Sequence, residues 1–174
     1  MEALPTSLDG VYRIVFARVR DERGSFVRTY DAAAFAALGL NTAWAEHGEA
    51  VNVRAGTVRG LHFQRNPHAE LKLIRCTRGA AFDVLLDARS GSPTFSRWQA
   101  FELRDGDDVA LYVPAGVAHG YQTVRENTVL EYLHSTPYAP EAATGYRYDS
   151  PALAIPWPLP VTAISDRDRS LPAF

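Results

Sequence analysis

The stretch of this chain best equipped for chemistry is Gly56-Thr-Val-Arg-Gly-Leu-His-Phe-Gln64, where an arginine and a histidine flank a glycine in an otherwise apolar run. An imidazole titrates near neutrality and can move a proton in either direction, and a guanidinium fork suits phosphate oxygens. Strict strand alternation points Arg59 and His62 to opposite faces, whereas a break at Gly60 would turn both toward one cavity. Taken alone, such a histidine is more often a hydrogen-bonded core residue than a base. In Val113-Pro-Ala-Gly-Val-Ala-His119-Gly, proline and glycine flank a strand end, which places His119 at a barrel mouth. In Glu131-Tyr-Leu-His-Ser-Thr-Pro-Tyr138, alternation sets Leu130, Tyr132 and His134 on one face. The Tyr132 phenol there is either a satisfied core hydroxyl or a proton donor. Of 18 basic residues, 17 are arginine and one is lysine, Lys72, which lies in the apolar run Leu71-Lys-Leu-Ile74. A lysine in a core or cleft costs free energy unless something pairs with it, so it is a site candidate. Ile164-Ser-Asp-Arg-Asp168 reads by itself as a solvated charge run.

The elements that must position these side chains are mostly short strands. Val11–Val19 reads as one strand, Asp21-Glu-Arg-Gly24 as a turn, and Ser25-Phe-Val-Arg28 as the start of a second strand. Asp31 is placed to cap a helix of about two turns that presents Phe35 and Leu38 on one face and stops at Gly39. From residue 51 onward, turn signals recur roughly every 8–12 residues, the rhythm of an all-β domain. The runs are Thr57–Gln64, Leu71–Thr77, Ala81–Asp87, Trp98–Leu103, Val109–Val113 and Thr128–His134. Alternation in Leu71–Thr77 puts Leu71, Leu73 and Arg75 on one face, and Lys72, Ile74 and Cys76 on the other. Many short strands with little helix imply a sandwich or barrel. The tail from Tyr138, rich in proline and aromatics, is expected to wrap it in irregular structure with one short helix.

With 174 residues, 47% hydrophobic and 22% charged, the chain has ordinary globular composition and fits one domain over 1–174, with its barrel core at about 50–136. A net charge of −2 gives no support for nucleic-acid or membrane-surface binding, which draws on a basic excess. The single cysteine, Cys76, excludes an internal disulfide framework and fits a reducing compartment, so a cytoplasmic protein is expected. No apolar stretch approaches 18 residues and no leader pattern opens the chain, which disfavours membrane insertion and secretion.

Seven blocks occur in order: Asp21-x-Arg23-Gly24, Gly56-Thr-Val-Arg-Gly-Leu-His62-Phe-Gln, Lys72-Leu, Phe82-Asp-Val, Ser92-Pro-Thr, Pro114-x-Gly-x-Ala-His119-Gly and Ser165-Asp-Arg-Asp168. Together they resemble the dTDP-4-dehydrorhamnose 3,5-epimerase family, the RmlC-like cupins, over nearly the whole chain. The resemblance implies an all-β cupin jelly roll (a double-stranded β-helix) with an N-terminal strand arm and a short irregular or helical C-terminal tail. It also implies a homodimer that exchanges that arm, with neither metal nor organic cofactor. The substrate implied is a 4-keto-6-deoxy sugar on a nucleoside diphosphate, inverted at C3, C5 or both in deoxysugar biosynthesis. His62 then matches the base, Asp168 the carboxylate that supports it, Tyr132 the acid on the opposite face, and Lys72 the cation that polarises the ketone. Arg23 and Arg59 match the diphosphate clamp, with Phe26, His119, Tyr138 and Arg167 completing the substrate-binding set.

This chain departs from the family pattern at three places. Glu46-His-Gly-Glu49 stands where a glutamine-x-asparagine pair is common, Arg28 where a glutamate is frequent, and Arg167 where a lysine precedes the aspartate. These changes leave the proton-transfer set intact and bear on the substrate, so a single-position 3- or 5-epimerase is an alternative. A metal-dependent cupin, a dioxygenase or sugar-phosphate isomerase, is the rival from another class. It needs three or four converging ligands, yet His62 is followed by Phe63 and Gln64, and His68 and Glu70 lie beyond a proline turn. A silent sugar-nucleotide-binding module would lack a catalytic residue, and none is missing.

Overall fold

Alternation along the strands sorts the apolar side chains into three layers. The computed structural model describes residues 1–174 as thirteen strands and two short helices. In chain order these are β1 (Glu2–Pro5), β2 (Tyr12–Val15), β3 (Arg18–Asp21), β4 (Gly24–Val27), α1 (Ala32–Ala37), β5 (Glu46–Asn52), β6 (Val58–Gln64), β7 (Lys72–Arg78), β8 (Ala80–Asp87), β9 (Trp98–Arg104), β10 (Val109–Val113), β11 (Val117–Thr123), β12 (Thr128–His134), β13 (Ala143–Gly145) and α2 (Asp166–Arg169). A six-stranded sheet runs β1-β2-β10-β7-β12-β5, a five-stranded sheet runs β13-β6-β11-β8-β9, and β3 pairs only with β4. All ladders are antiparallel, and the molecule is the expected cupin-like jelly roll.

The inner layer joins the two sheets. Ile74, Cys76, Leu111, Val113 and Leu130 of the larger sheet meet Ala81, Leu85, Phe101, Leu103 and Tyr121 of the smaller. The opposite face of β7 and β10 sends Leu73, Ala110 and Tyr112 into a second cluster, capped by Phe35 of α1 and by Phe16. The outer face of the smaller sheet sends Leu61, Val84, Leu86 and Ala118 into a third, covered by Leu153, Trp157 and Phe174 of the C-terminal tail. Sheets covered on both faces bury nearly every residue of their central strands, as along β8. The helix is the one capped by Asp31, whose side chain accepts from the Ala34 amide. Leu38 is its C-cap and is exposed, so Phe35 alone faces inward. No helix is long and apolar enough to cross a membrane.

The structure departs from the sequence expectation at several strands, among them the short β13 in the tail, which pairs with β6. Val11–Val19 is two strands rather than one: the chain turns at Phe16, buried in the second cluster, and leaves the sheet to form the β3–β4 hairpin. β1 and β5 are additional edge strands; β5 is polar on both faces and is held by its backbone pairing with β12. β11 is the largest correction. Val117–Thr123, which none of the expected strand runs covers, is a central strand in which all seven residues are buried, His119 among them. Its glycine and small residues fit because it is packed between β6 and β8.

Candidate active site

A cavity of about 250 Å³ opens at one end of the barrel, between the two sheets. The larger sheet contributes Lys72 from β7, and Tyr132 and His134 from β12; the smaller contributes Arg59 and His62 from β6, and His119 from β11. Tyr138 and Arg167 stand at its rim.

Arg59 and His62 share the cavity because β6 is bulged. β11 pairs His119 with His62 and Tyr121 with Arg59, so two steps on β11 span three on β6. The displaced Leu61 turns outward into the third cluster. Gly60 makes this possible: its φ is +107°, and a Cβ there would meet the Gly120 Cα at 2.5 Å.

His62 Nε2 lies 2.7 Å from Asp168 Oδ1. The other carboxylate oxygen accepts from the Gly60 amide at 3.1 Å. Asp168 is on α2, whose N-cap Ser165 accepts from the Asp168 amide. The tail brings α2 here through the Thr57–Ala163 bridge and the Val58 amide bond to the Ala163 carbonyl. Burial pushes the Asp168 carboxyl up, but hydrogen bonds from His62 and Gly60 outweigh it and hold it below the usual range. It is therefore a carboxylate, suited to orient the imidazole and support its charged form.

Tyr132 enters from the opposite sheet. Its ring stacks on His134 at 5.6 Å and 9° and meets His119 edge-on at 5.8 Å. Burial pushes its phenol well above the ordinary value, so at neutral pH it is a protonated donor. Tyr121, which also lines the cavity, donates to Asn52 Oδ1, and Arg59 Nε donates to the same oxygen at 2.9 Å. His119 Nε2 lies 2.7 Å from Asp83 Oδ2, making a second, fully buried His–Asp pair.

Lys72 Nζ is 3.0 Å from Glu70 Oε1 and donates to the His62 carbonyl at 3.1 Å. Burial drives its ammonium below the ordinary lysine value, and the charge and hydrogen bond of Glu70 oppose that. At the rim, the Tyr138 hydroxyl accepts from Arg167 and its amide donates to Glu46. Gln64 fixes the loop beneath, donating to the Pro137 carbonyl and accepting from the Ala139 amide.

Arg23 and Phe26 lie outside this cavity. Arg23 sits at the tip of the β3–β4 hairpin, its side chain 84% exposed and paired with Asp21 at 2.6 Å. Glu70, Asp83 and His134 are the functional-looking residues that sequence reasoning left without a role. Their signals were present: an aspartate inside the apolar run Ala80–Leu86 needs a buried partner, and Glu70 lies two residues from Lys72, on its face of an extended chain. Nowhere do three His, Cys, Asp or Glu side chains converge as metal ligands would.

An imidazole paired with a carboxylate, a phenol from the other sheet and a lysine amine line one cavity, a set able to move protons beside a carbonyl; with this fold it defines a cupin-type epimerase. Residues 5–174 match the family model for dTDP-4-dehydrorhamnose 3,5-epimerase, and the chain belongs to that family of isomerases. It is 42% identical over 155 residues to the dTDP-4-dehydrorhamnose 3,5-epimerase of Sinorhizobium fredii, covering 88% of this chain and 80% of the relative. It is 37% identical over 170 residues to the dTDP-4-dehydrorhamnose 3-epimerase of Streptomyces niveus, covering 97% and 82%. A crystal structure of the Bacillus anthracis dTDP-4-dehydrorhamnose 3,5-epimerase with TDP and PPi bound superposes with a TM-score of 0.96 at 34% identity, covering 99% of both chains.

Proposed function

We propose that this chain, acting over 1–174 as one RmlC-like cupin unit in the cytoplasm, inverts C3, C5 or both of a dTDP-linked 4-keto-6-deoxyhexose. The observation that carries the reading is the His62–Asp168 dyad and Tyr132 approaching one cavity from opposite sheets. His62 takes a proton from the carbon beside the ketone, and Asp168 stabilises the imidazolium that results. The electron pair left on carbon delocalises into an enolate, whose oxygen is met by the Lys72 ammonium. Tyr132 returns a proton to the opposite face, which inverts the centre. Arg59 and Arg23 supply guanidinium groups for the diphosphate, His119 sits in the sugar or phosphate pocket, and Tyr138 and Arg167 complete its lining.

No metal or organic cofactor enters these steps, since a base, an acid and a cation suffice. The chain acts as a homodimer in which the β3–β4 arm carries Arg23 and Phe26 into the partner's cavity. Support comes from the arm itself: its strands pair only with each other, and Val19 and Phe26 are exposed on it. A single-position 3-epimerase is the second reading, favoured by the 37% identity to the Streptomyces niveus 3-epimerase.

Incubation with dTDP-4-keto-6-deoxyglucose in D2O, with and without EDTA, followed by NMR at C3 and C5, tests the reading. Solvent deuterium with inversion at one or both carbons, unaffected by EDTA, is expected. No exchange at either carbon would refute it, and loss on EDTA restored by a divalent ion would promote a metal-dependent cupin.

A further inference from the structure

The ion pair between Glu70 and Lys72 lies at the cavity wall, and the mechanism above gives Glu70 no part. Both side chains are almost fully buried, 7% and 8% exposed, with Nζ and Oε1 3.0 Å apart. We infer that Glu70 is a positioning residue for the reaction: its carboxylate keeps the Lys72 ammonium charged and aimed, so that one N–H is left for the keto oxygen of the substrate. This inference rests on the proposed role of Lys72 and adds the group that makes that role possible.

The count of donors carries the first half. An ammonium has three N–H groups. One meets Glu70 and one the His62 carbonyl, which leaves one for a ligand in the cavity that Lys72 and Glu70 both line. Two anchors fixed to different elements, the turn before β7 and the backbone of β6, hold a flexible four-carbon stem in one place.

The charges around Lys72 carry the second half. From β6 it faces His62 and Arg59, from β8 Asp83, from β11 His119, and from β12 Tyr132 and His134, with Glu46 across from His134 on β5. Asp83 is committed to His119, and Glu46 accepts from the Tyr138 amide. Glu70 is thus the anion in direct contact, and after burial its charge has the largest influence on Lys72. His134 is lowered to about 4 by burial and by the Lys72 charge, so it stays neutral near pH 7 and adds no competing cation. Without Glu70, a buried ammonium would keep one carbonyl and its desolvation cost, and would shed its proton at a lower pH. A neutral amine stabilises an enolate oxygen far less than a cation does.

Lys72 is the only lysine in the chain. Protein labelled with 13Cε-lysine therefore gives one Cε resonance, whose titration reports Lys72 directly and without substrate. In Glu70→Gln, which keeps an acceptor and removes the charge, the midpoint should fall by at least about one pH unit. The alkaline limb of kcat should move down with it, about tenfold in rate for each unit above the new midpoint. Glu70→Asp, which keeps the charge on a shorter stem, should hold the midpoint near wild type while kcat falls. It also serves if the glutamine variant does not fold. A Glu70→Gln midpoint within about 0.3 of wild type, or a Glu70→Asp midpoint that drops by a full unit, overturns the charge role. A moved midpoint with an unmoved kcat limb overturns the link to substrate. Because the titration needs no turnover, its outcome is separate from whether the chain is an epimerase.

Discussion

The His62–Asp168 pair and Tyr132 divide one proton transfer between two sheets, and that division is testable residue by residue. His62→Ala removes the base, so both isotope exchange in D2O and epimer formation should fall by about 10²–10⁴-fold. Tyr132→Phe removes only the donor on the opposite face. The enolate still forms, and His62 can return a solvent-derived proton to the face it came from. Deuterium should then enter the sugar with configuration retained while the epimer fails to accumulate. Asp168→Asn should behave as a milder His62→Ala, because the ring stays in place and the charge that supports imidazolium is gone. Normal epimerisation by Tyr132→Phe would assign the acid elsewhere, and wild-type exchange by His62→Ala would assign the base elsewhere.

At the scale of elements, the site depends on how closely β6 and β11 approach. The bulge that turns Arg59 and His62 to one side exists because Gly60 lies against Gly120, with φ at +107°. A Cβ at residue 60 would meet backbone atoms of β11, the Gly120 Cα at 2.5 Å and the His119 carbonyl oxygen at 2.6 Å. Backbone cannot move aside as a flexible side chain can, and the left-handed φ adds to the cost of any side chain there. The Gly60 amide also donates to Asp168, so a shift of β6 disturbs the dyad from behind. Gly60→Ala should therefore destabilise the fold by about 1–3 kcal/mol and lower kcat more than it raises KM. Calorimetric melting with steady-state kinetics checks this; a variant that melts and turns over like wild type removes the close approach as the reason for the bulge.

The whole molecule poses the question of the arm. The hairpin β3–β4 carries Arg23 at its tip, outside the cavity of its own barrel. If arms are exchanged, each complete site draws Arg23 from one subunit and His62 from the other. Arg23→Ala and His62→Ala should each be nearly inactive alone. After subunit exchange, the mixed dimer should hold one intact site, and an equal mixture should recover about one quarter of wild-type activity. No recovery on mixing, or a fully active monomer at micromolar concentration, would falsify the exchange.

Local pattern determined more of this molecule than its length suggests. The two-residue period set Lys72, Ile74 and Cys76 apart from Leu73, and in the structure the first group faces the barrel interior while Leu73 faces α1. The same period put Leu130, Tyr132 and His134 on the cavity side of β12. Asp31 as N-cap and the strand rhythm after residue 51 follow from local chemistry, so they too were legible. Strands without an apolar signal were not: β5 is polar and exists because β12 offers it a backbone edge, and β11, with glycine and polar residues, becomes a strand only between its two neighbours. Of the candidate site residues, Arg23 and Phe26 alone stand clear of the cavity wall and its dyad, because one chain's fold does not bring the hairpin to it. Long-range pairings belong wholly to the tertiary structure. Asp168 reaches His62 across 106 residues, and Asp83 reaches His119 across 36. Side-chain type and strand period are local properties that a sequence displays; which buried charge meets which partner is decided only when the sheets close and leave each no other place to go.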